Sequence, residues 1–401
     1  MQLQNIFRLK LVCIALFAGC AATPSREEET KSKARKFDSL AIYDLTARTV
    51  DENFYDKTFR GLDWPDLVAD FKERVGPNST SAELKSTLNS LLGLLKASHT
   101  EFLTTSDQTY FALKSIFSHD IDGYPIYQIG AWFKKIDDHW FIRSIFKGLS
   151  SENDCLKPGD EIISVDGKSL NPVSSFNSPG LKKIEYRRSK FSRTSVCEVN
   201  PHYASFQRAL LEATQLSAKV FSYRGKRVGY FHLWAGTHDD FRLALRDFLV
   251  SSESTSDAMI LDLRDGFGGA HPGFIEPFFS EDEDSKPVRQ VYTKPLVVLI
   301  NEGTRSGKEW ISLLLKRKKR GILIGEKTAG YFLSGKLFDI EEGHYLLYLA
   351  VDGNGPQGVD LEGKGVFPEI SKPFDFKYSQ GKDPQLERAL QECIIRLKNV
   401  L

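Results

Sequence analysis

The chain is poor in the residues that build metal and redox sites. It has five cysteines among 401 residues, and no two of them are spaced as a CxxC pair. Cys13 and Cys20 lie in the first twenty residues, which leaves Cys155, Cys197 and Cys393 for the rest of the chain. An odd number of cysteines without CxxC spacing argues against a structural metal site. We therefore expect no metal, and the chemistry considered below needs no cofactor.

The chain also lacks an excess of charge of either sign. Lysine and arginine number 54 and aspartate and glutamate number 53, so the formal net charge is +1. Such a balance argues against a nucleic acid as the main partner. The basic run 316–320 ends a predicted helix, where cations complement the helix dipole. A glycine-rich stretch at 262–269 has neither a Walker lysine nor GxGxxG spacing, which argues against phosphate binding.

The N-terminal apolar run is too short to span a bilayer. Residues 11–18 follow Arg8 and Lys10, and a charged start before a short apolar run is the pattern of an export signal. The run ends in Leu-Phe-Ala-Gly-Cys20, which resembles the lipobox of bacterial lipoproteins, with Phe17 where an aliphatic residue is usual. The resemblance implies a signal peptide over residues 1–20 and lipidation of the cysteine.

Lipidation of Cys20 would anchor the chain to the periplasmic side of a bacterial membrane, and Ala21 favours the outer membrane. An ordinary secretory signal or an uncleaved anchor is the alternative. Residues 21–36 are polar and lack periodicity, which predicts a flexible tether. Export to an oxidising compartment permits a disulfide, and Cys155 and Cys197 would lie within one predicted domain.

The remaining residues exceed the usual size of one domain, and 41% of the chain is hydrophobic, enough for a real core. Residues 37–122 are predicted to form a helical N-terminal region. Amphipathic helices are expected over 37–54 and 64–75, and Thr80-Ser-Ala-Glu83 is a capping box that opens a third helix. That helix leads into Ser98 and His99.

Residues 123–222 have a different pattern, with a strand predicted over 126–133. The stretch 158–167 is a Pro-Gly-Asp turn, an alternating Ile/Val strand and an Asp-Gly turn, and it resembles a PDZ domain. The resemblance implies recognition of extended peptides by addition to a sheet edge. The carboxylate-binding loop of PDZ domains is not evident in residues 124–130, and a structural insert is the alternative.

Residues 223–401 are predicted to form an α/β core. Four short apolar runs lack alternation, as expected of strands buried on both faces of a parallel sheet: 228–233, 258–263, 296–300 and 322–324. A strand pair over 340–351 and a closing helix over 384–401 follow. The turn 301–305 would lie at the carboxyl edge of the sheet, where open α/β sheets bind ligands.

Two residues each have an ordinary explanation and a catalytic one. Ser306 begins the helix after this turn, and with Glu309 it forms a capping box. The same position offers free N–H groups and the positive end of the helix dipole, which suits a nucleophile whose reaction builds an oxyanion. His99 is either an idle imidazole at a helix end or a general base that titrates near neutral pH.

Several motifs occur together in one order: the PDZ-like stretch, Asp262-Leu-Arg-Asp-Gly-Phe-Gly-Gly269, Asn301-Glu-Gly-Thr-Arg-Ser306, Gly325-Glu-Lys-Thr328 and Glu362-Gly-Lys-Gly-Val. Together they resemble the C-terminal processing (tail-specific) serine peptidases over roughly residues 80–375. The resemblance implies an α/β (α+β multidomain) fold with a ClpP/crotonase-like peptidase core.

Within that family, one branch uses a Ser–Lys dyad, but Tyr331 stands where the dyad lysine would be. The other branch resembles the tricorn core protease. This resemblance implies that Ser306 is the nucleophile and His99 its general base, with Ser98 and Glu362 as a hydrogen-bonded pair that orients the imidazole. It further implies that the backbone N–H groups of Gly269 and Gly307 form the oxyanion hole.

The resemblance therefore implies an exported, lipid-anchored serine endopeptidase that cleaves unfolded or tail-exposed polypeptides through an acyl-enzyme. Arg305, Gly307 and Lys308 replace small or hydroxylic residues near the nucleophile, and their presence would either narrow the substrate pocket or mark lost activity. The alternatives are a catalytically inactive peptide-binding envelope protein, and an esterase or amidase that acts on a small substrate.

Overall fold

The structure, a computed structural model, describes residues 37–148, 155–280 and 289–399. The predicted signal peptide with Cys20 and the predicted tether over 21–36 lie outside these residues. Within the described ranges, none of the helices combines the length and the apolar character that a membrane crossing requires. The expected mixed α/β architecture is confirmed.

The elements of the described residues alternate along the chain. The helices are α1 (Ser39–Asn53), α2 (Trp64–Lys72), α3 (Ser81–Gly93), α4 (Gln108–Phe117), α5 (Phe206–Ser217), α6 (Asp239–Thr255), α7 (Gly307–Arg317) and α8 (Pro384–Asn399). The strands are β1 (Glu101–Thr104), β2 (Ile126–Gln128), β3 (Ala131–Ile136), β4 (His139–Ile145), β5 (Glu161–Val165), β6 (Lys182–Arg187), β7 (Ser195–Val199), β8 (His202–Ala204), β9 (Lys219–Tyr223), β10 (Lys226–His232), β11 (Ala258–Asp262), β12 (Leu296–Ile300), β13 (Gly321–Gly325), β14 (Ser334–Ile340), β15 (Tyr345–Asp352) and β16 (Ile370–Ser371).

The main sheet has six strands in the order β16-β13-β12-β11-β10-β9. All neighbouring strands are parallel except β9, which pairs antiparallel with β10. Every residue of β11 and β12 is buried because both faces of the sheet are covered. One face packs against α8, and the other packs against α5, α6 and α7 in the largest hydrophobic core. The four predicted buried strands are therefore confirmed.

Within the helical region, His99 lies between helix α3 and strand β1. The predicted capping box of α3 is present, with Thr80 and Glu83 bonded reciprocally. After α3, β1 pairs antiparallel with β15, which is also paired with β14. The predicted start of this hairpin at residue 340 is wrong: β14 begins at Ser334, and the turn falls at Glu341 and Glu342, which both have positive φ.

A second sheet of five antiparallel strands, β3-β4-β5-β6-β7, encloses its own hydrophobic core. We call it the small sheet. The single strand expected over 126–133 is in fact two strands, because Gly130 adopts φ 65° between them. As a result, β2 pairs with β8, whereas β3 pairs with β4. Helix α5, inside the segment interpreted as PDZ-like, packs on the main core rather than on the small sheet.

The small sheet is joined internally and to the core by specific contacts. Cys155 and Cys197 form a disulfide, and Cys393 is a buried free thiol in α8. The Arg143 guanidinium in β4 lies 2.9 Å from the Asp265 carboxylate in the glycine-rich loop. The Arg143–Asp265 ion pair links the small sheet to the carboxyl edge of the main sheet.

Candidate active site

His99 lies in the short link between α3 and β1. Its backbone is in the left-handed region, with φ 54°, and the pairing of β1 with β15 fixes where the link ends. The partly buried imidazole packs edge-on against the Tyr348 ring, with 5.1 Å between ring centroids. Strand pairing and this aromatic contact hold the imidazole in one place.

Glu362 connects the helical region to the core. Its carboxylate accepts a hydrogen bond from the Ser98 N–H at 2.8 Å and from the Ser98 hydroxyl at 2.9 Å. It also accepts the backbone N–H groups of Phe332 at 2.8 Å and of Leu333 at 3.3 Å. A single side chain therefore organises three segments around the imidazole.

The proton of the Ser98 hydroxyl decides the tautomer of His99. The Ser98 Oγ donates its only proton to the Glu362 carboxylate, so it can only accept from the imidazole. It lies 2.9 Å from His99 Nδ1, which must therefore carry the ring proton. Neutral His99 then has a bare Nε2, the form that a general base requires. The predicted Ser98–Glu362 pair is present in the structure.

The environment of His99 keeps the imidazole neutral. Burial and, to a lesser extent, the nearby Arg305 guanidinium lower its pKa from 6.5 to about 4, although the Glu362 carboxylate acts in the opposite direction. Burial disfavours the charged form because the site solvates an imidazolium poorly. The base is therefore unprotonated throughout the neutral pH range.

Ser306 precedes the first residue of α7 in an uncommon backbone conformation, with φ 54° and ψ −130°. A non-glycine residue with positive φ is strained, and such strain persists only where the surroundings impose it. The Ser306 N–H donates to the Tyr331 carbonyl oxygen at 2.8 Å and to the Glu309 carboxylate at 3.0 Å. The bond to Glu309 belongs to the predicted capping box at the start of α7.

The glycine-rich loop approaches Ser306 closely. A Cβ atom on Gly268 would lie 2.5 Å from the Ser306 Cβ, and one on Gly307 would lie 2.1 Å from the Ala270 carbonyl oxygen. Side chains at these two positions would separate the loop from the helix. Within the described part of the chain, the N–H groups of Gly269 and Gly307 donate to no protein acceptor. Two unsatisfied donors on either side of a serine suit an oxyanion hole.

These residues line one cleft of about 1020 Å³, which includes Ser98, His99, Gly269, Ser306 and Gly307. No hydrogen bond joins the imidazole of His99 to the hydroxyl of Ser306, although both of these residues are described. Catalytic hydrogen bonds are often long in a site without substrate and shorten in the complex. No group of three metal-binding side chains is found among the described residues.

Two family models match parts of the chain. Residues 276–372 match Peptidase family S41, and residues 39–93 match the Tricorn protease C1 domain. The part of the chain that includes β12, α7 and β13 is thus similar to family S41 peptidases. This match confirms the expectation of a serine-type peptidase, and the S41 segment contains both Ser306 and Glu362.

Known proteins of similar sequence or fold agree with this assignment. A carboxyl-terminal-processing protease of Synechocystis sp. is 23% identical over 366 residues, which cover 84% of each chain. The photosystem II D1 C-terminal processing protease has a TM-score of 0.54 at 18% identity, over 90% of this chain and 97% of that chain. The tricorn protease has a TM-score of 0.54 at 17% identity, over 90% of this chain and 37% of that chain. At these identities the structural comparisons show the shared fold alone.

Lys308, which the sequence placed among the residues that could narrow the substrate pocket, lies in the interior of the protein. It is completely buried beneath the glycine-rich loop and does not line the cleft. Its ammonium group donates to the carbonyl oxygens of Leu233 at 3.2 Å, Trp234 at 3.4 Å and Asp265. Burial lowers the pKa of Lys308 to about 7, partly offset by the Asp265 carboxylate. The side chain therefore ties the loop to the end of β10.

Glu309 has a structural role that the capping-box interpretation missed. Its carboxylate is completely buried. Besides the Ser306 N–H, it accepts hydrogen bonds from the Thr328 hydroxyl at 2.6 Å, the Gly330 N–H at 2.7 Å and the Tyr331 N–H at 2.9 Å. Residues 328–331 are remote from Glu309 in sequence, so no local pattern predicts these hydrogen bonds. The only signal in the sequence is that a carboxylate can accept more hydrogen bonds than a capping box uses.

Proposed function

We propose that this chain is an exported serine endopeptidase that cleaves unfolded or tail-exposed polypeptides through an acyl-enzyme. The observation that carries the proposal is the chain of contacts from Glu362 through Ser98 to His99. It leaves a neutral imidazole with a bare Nε2 in the same cleft as Ser306. A base held in this tautomer by a hydroxyl and a carboxylate has the third-group arrangement of a catalytic triad.

The first half of the reaction forms the acyl-enzyme. A bound peptide brings His99 and Ser306 into hydrogen-bond contact, and Nε2 takes the hydroxyl proton as Oγ attacks the scissile carbonyl carbon. The N–H groups of Gly269 and Gly307 stabilise the oxyanion. The imidazolium then gives its proton to the leaving amine as the C–N bond breaks.

The second half of the reaction releases the acyl group. Water attacks the ester at Ser306 while His99 accepts a proton from the water, and the proton then returns to Oγ as the second product leaves. The imidazolium formed in each half retains its Nδ1–H bond to Ser98, and the Glu362 carboxylate lies behind it. The Ser98–Glu362 pair therefore stabilises the charge that develops on the base.

Polypeptides are the proposed substrate class because the cleft is open and large, and because the similar Synechocystis protein is named a carboxyl-terminal-processing protease. The PDZ-like segment supports the same class, since such modules bind extended chains at a sheet edge. Anchoring by lipidated Cys20 stays part of the proposal. The Cys155–Cys197 disulfide supports export, because disulfides persist in oxidising compartments.

Alanine variants of the two reacting residues test the proposal. With internally quenched peptides as substrates, Ser306→Ala and His99→Ala should each lower kcat/KM by roughly 10³-fold or more, because members of a triad act as a unit. His344→Ala, on the exposed hairpin turn, is the matched control and should retain activity. A serine-directed phosphonate should label the wild-type protein at Ser306.

Two results would contradict the proposed function. One is unchanged hydrolysis by folded Ser306→Ala protein. The other is peptide binding by the wild-type protein with neither turnover nor reaction with the phosphonate, which would indicate a peptide-binding envelope protein. If the protein hydrolysed small esters or amides but no peptide, the proposed substrate class would be wrong and the acyl-enzyme mechanism would still hold.

A further inference from the structure

Arg305, the residue before the proposed nucleophile, is a cation without a carboxylate partner among the described residues. Its Nε lies 3.5 Å from the Gly303 carbonyl oxygen, at the outer limit of a hydrogen bond. The guanidinium stands over the Phe267 ring, 5.6 Å from the ring centroid. An arginine usually forms bidentate hydrogen bonds with a carboxylate, so this side chain has unused donors beside the reacting serine.

Arg305 lies where the catalytic cleft meets a second cavity of about 610 Å³. Arg305, Phe267 and Tyr331 line both spaces. The second cavity lies between the small sheet and the core, and Trp132 and Trp234 form part of its wall. A group bound in this cavity would therefore be adjacent to the nucleophile and shielded by aromatic surface.

The charges that line this cavity do not balance. Two carboxylates, Asp265 and Glu302, are already paired: Arg143 lies 2.9 Å from Asp265, and Lys134 lies 2.8 Å from Glu302. Arg305 and Lys327 are two further cations of the lining, and neither is paired with a carboxylate of the residues that the structure describes. The cavity thus has two positive charges in excess, one of them next to Ser306.

We infer that this cavity is a substrate subsite in which Arg305 binds a carboxylate of the polypeptide. The inference rests on the proposed peptidase function and adds a preference for acidic substrates. The carboxylate is either an aspartate or glutamate side chain near the scissile bond or the free C-terminus of the substrate. The chemistry is the same in both cases, a charge-assisted hydrogen bond between guanidinium and carboxylate in a partly desolvated site.

Binding there also affects the catalytic base. The positive charge of Arg305 is one of the two causes that lower the pKa of His99. A substrate carboxylate paired with the guanidinium offsets that charge, and the imidazole becomes a stronger base. An acidic substrate therefore gains in binding, and the barrier to proton transfer falls at the same time.

Paired peptides measure this preference. Internally quenched peptides that the protein cleaves are made in matched forms, with Glu or Gln at each position around the scissile bond and with a free or amidated C-terminus. The wild-type protein should favour the carboxylate form of one pair by about tenfold or more in kcat/KM. The pair that responds distinguishes a side-chain carboxylate from the C-terminal carboxylate.

Substitutions at Arg305 assign the preference to this residue. Arg305→Gln should reduce the ratio between carboxylate and amide forms to near one, whereas Arg305→Lys should retain part of it because the charge remains. Arg246→Gln, on the exposed face of α6 and outside both cavities, is the control and should keep the full ratio. A wild-type ratio near one for every pair, or a ratio unchanged in Arg305→Gln, would overturn the inference.

A binding experiment separates failure of this inference from failure of the peptidase function. Ser306→Ala protein is titrated with fluorescently labelled peptides of the same pairs, and anisotropy is recorded. Tighter binding of the carboxylate form, lost in Ser306→Ala/Arg305→Gln, would support the subsite even without turnover. Equal binding of both forms would overturn it, whatever the outcome of the hydrolysis assay.

Discussion

The protonation state of His99 decides whether it can act as a base. The Ser98 hydroxyl places the ring proton on Nδ1, and the partly buried site beside Arg305 keeps the ring neutral. The two effects are separate, since one selects the tautomer and the other selects the charge. Together they leave Nε2 free to accept a proton at pH values above the lowered pKa of His99.

The first residue-scale prediction concerns the pH dependence of activity. Because the folded-state pKa of His99 is about 4 rather than 6.5, kcat/KM should rise with pH through about 4 and stay level near neutrality. Arg305→Gln removes one of the two causes of the lowered pKa, so its acid limb should move to higher pH. The measurement is kcat/KM of an amidated peptide against pH.

Histidine NMR titration of Ser306→Ala protein identifies the group behind the acid limb. The His99 resonance should titrate at the same pH as the acid limb of kcat/KM. If a carboxyl group caused the limb instead, the His99 resonance would not be expected to titrate with it. An acid limb near pH 6.5 in the wild-type protein, or no shift in Arg305→Gln, would contradict the prediction.

At the scale of elements, the start of α7 and the glycine-rich loop form one unit. Gly307 packs on Ala270, Gly268 packs on Ser306, and the Lys308 ammonium group links the loop to the residues after β10 by hydrogen bonds to backbone carbonyl oxygens. The oxyanion hole would arise from this unit rather than from any single side chain. Its geometry therefore depends on positions where a Cβ atom has no room.

Gly307→Ala tests this dependence. The new Cβ would lie 2.1 Å from the Ala270 carbonyl oxygen, so the helix and the loop must separate. Displacing one oxyanion donor should lower kcat/KM by about 10²-fold or more, and the overpacking should lower the free energy of unfolding by about 1–3 kcal/mol. Peptide hydrolysis and urea denaturation measure the two effects.

Gly93→Ala in α3 is the matched control. A Cβ at Gly93 meets no atom within 4 Å, so the variant should retain activity. It should be as stable as the wild-type protein or up to about 1 kcal/mol more stable, because alanine favours a helix over glycine. Full activity in Gly307→Ala would remove Gly307 from the oxyanion hole.

At the scale of the whole molecule, the main sheet and the small sheet have separate hydrophobic cores, and the small sheet and the loops at the carboxyl edge of the main sheet border the second cavity. The main core spans the sheet and the helices on one of its faces, and the small sheet has its own core beside the disulfide. The small sheet contributes Trp132 and Arg143 to the wall of the second cavity. Its position relative to the main sheet thus influences the site.

Loss of the disulfide should destabilise the small sheet. The Cys155–Cys197 bond closes a sequence separation of 42 residues, and its removal should lower the free energy of unfolding by about 2–4 kcal/mol. Urea denaturation of the wild-type protein should therefore shift to lower urea on addition of a reductant. The Cys155→Ser/Cys197→Ser variant is the control, because its curve should not respond to reductant. A wild-type curve that does not move would contradict the prediction.

Local patterns predicted much of the fold, and they failed where the contacts are distant. The unbroken apolar run 296–300 and the capping box at Thr80 identify a buried strand and a helix start from neighbouring residues alone. The split at Gly130 was missed because a single glycine within an apolar run does not reveal that the two halves pair with different strands. The hairpin register was missed because it depends on positive φ at Glu341 and Glu342.

The sequence by itself determined which residues could react and where the local elements begin, because periodicity and capping depend on near neighbours. It placed Ser306 at the start of a helix, within the segment that is similar to Peptidase family S41. Tertiary structure alone decided that Glu362 would meet Ser98 across a separation of 264 residues. It also decided that Arg305 lines a cavity while Lys308, three positions on, is buried. These outcomes follow from long-range packing and burial, which no local pattern encodes.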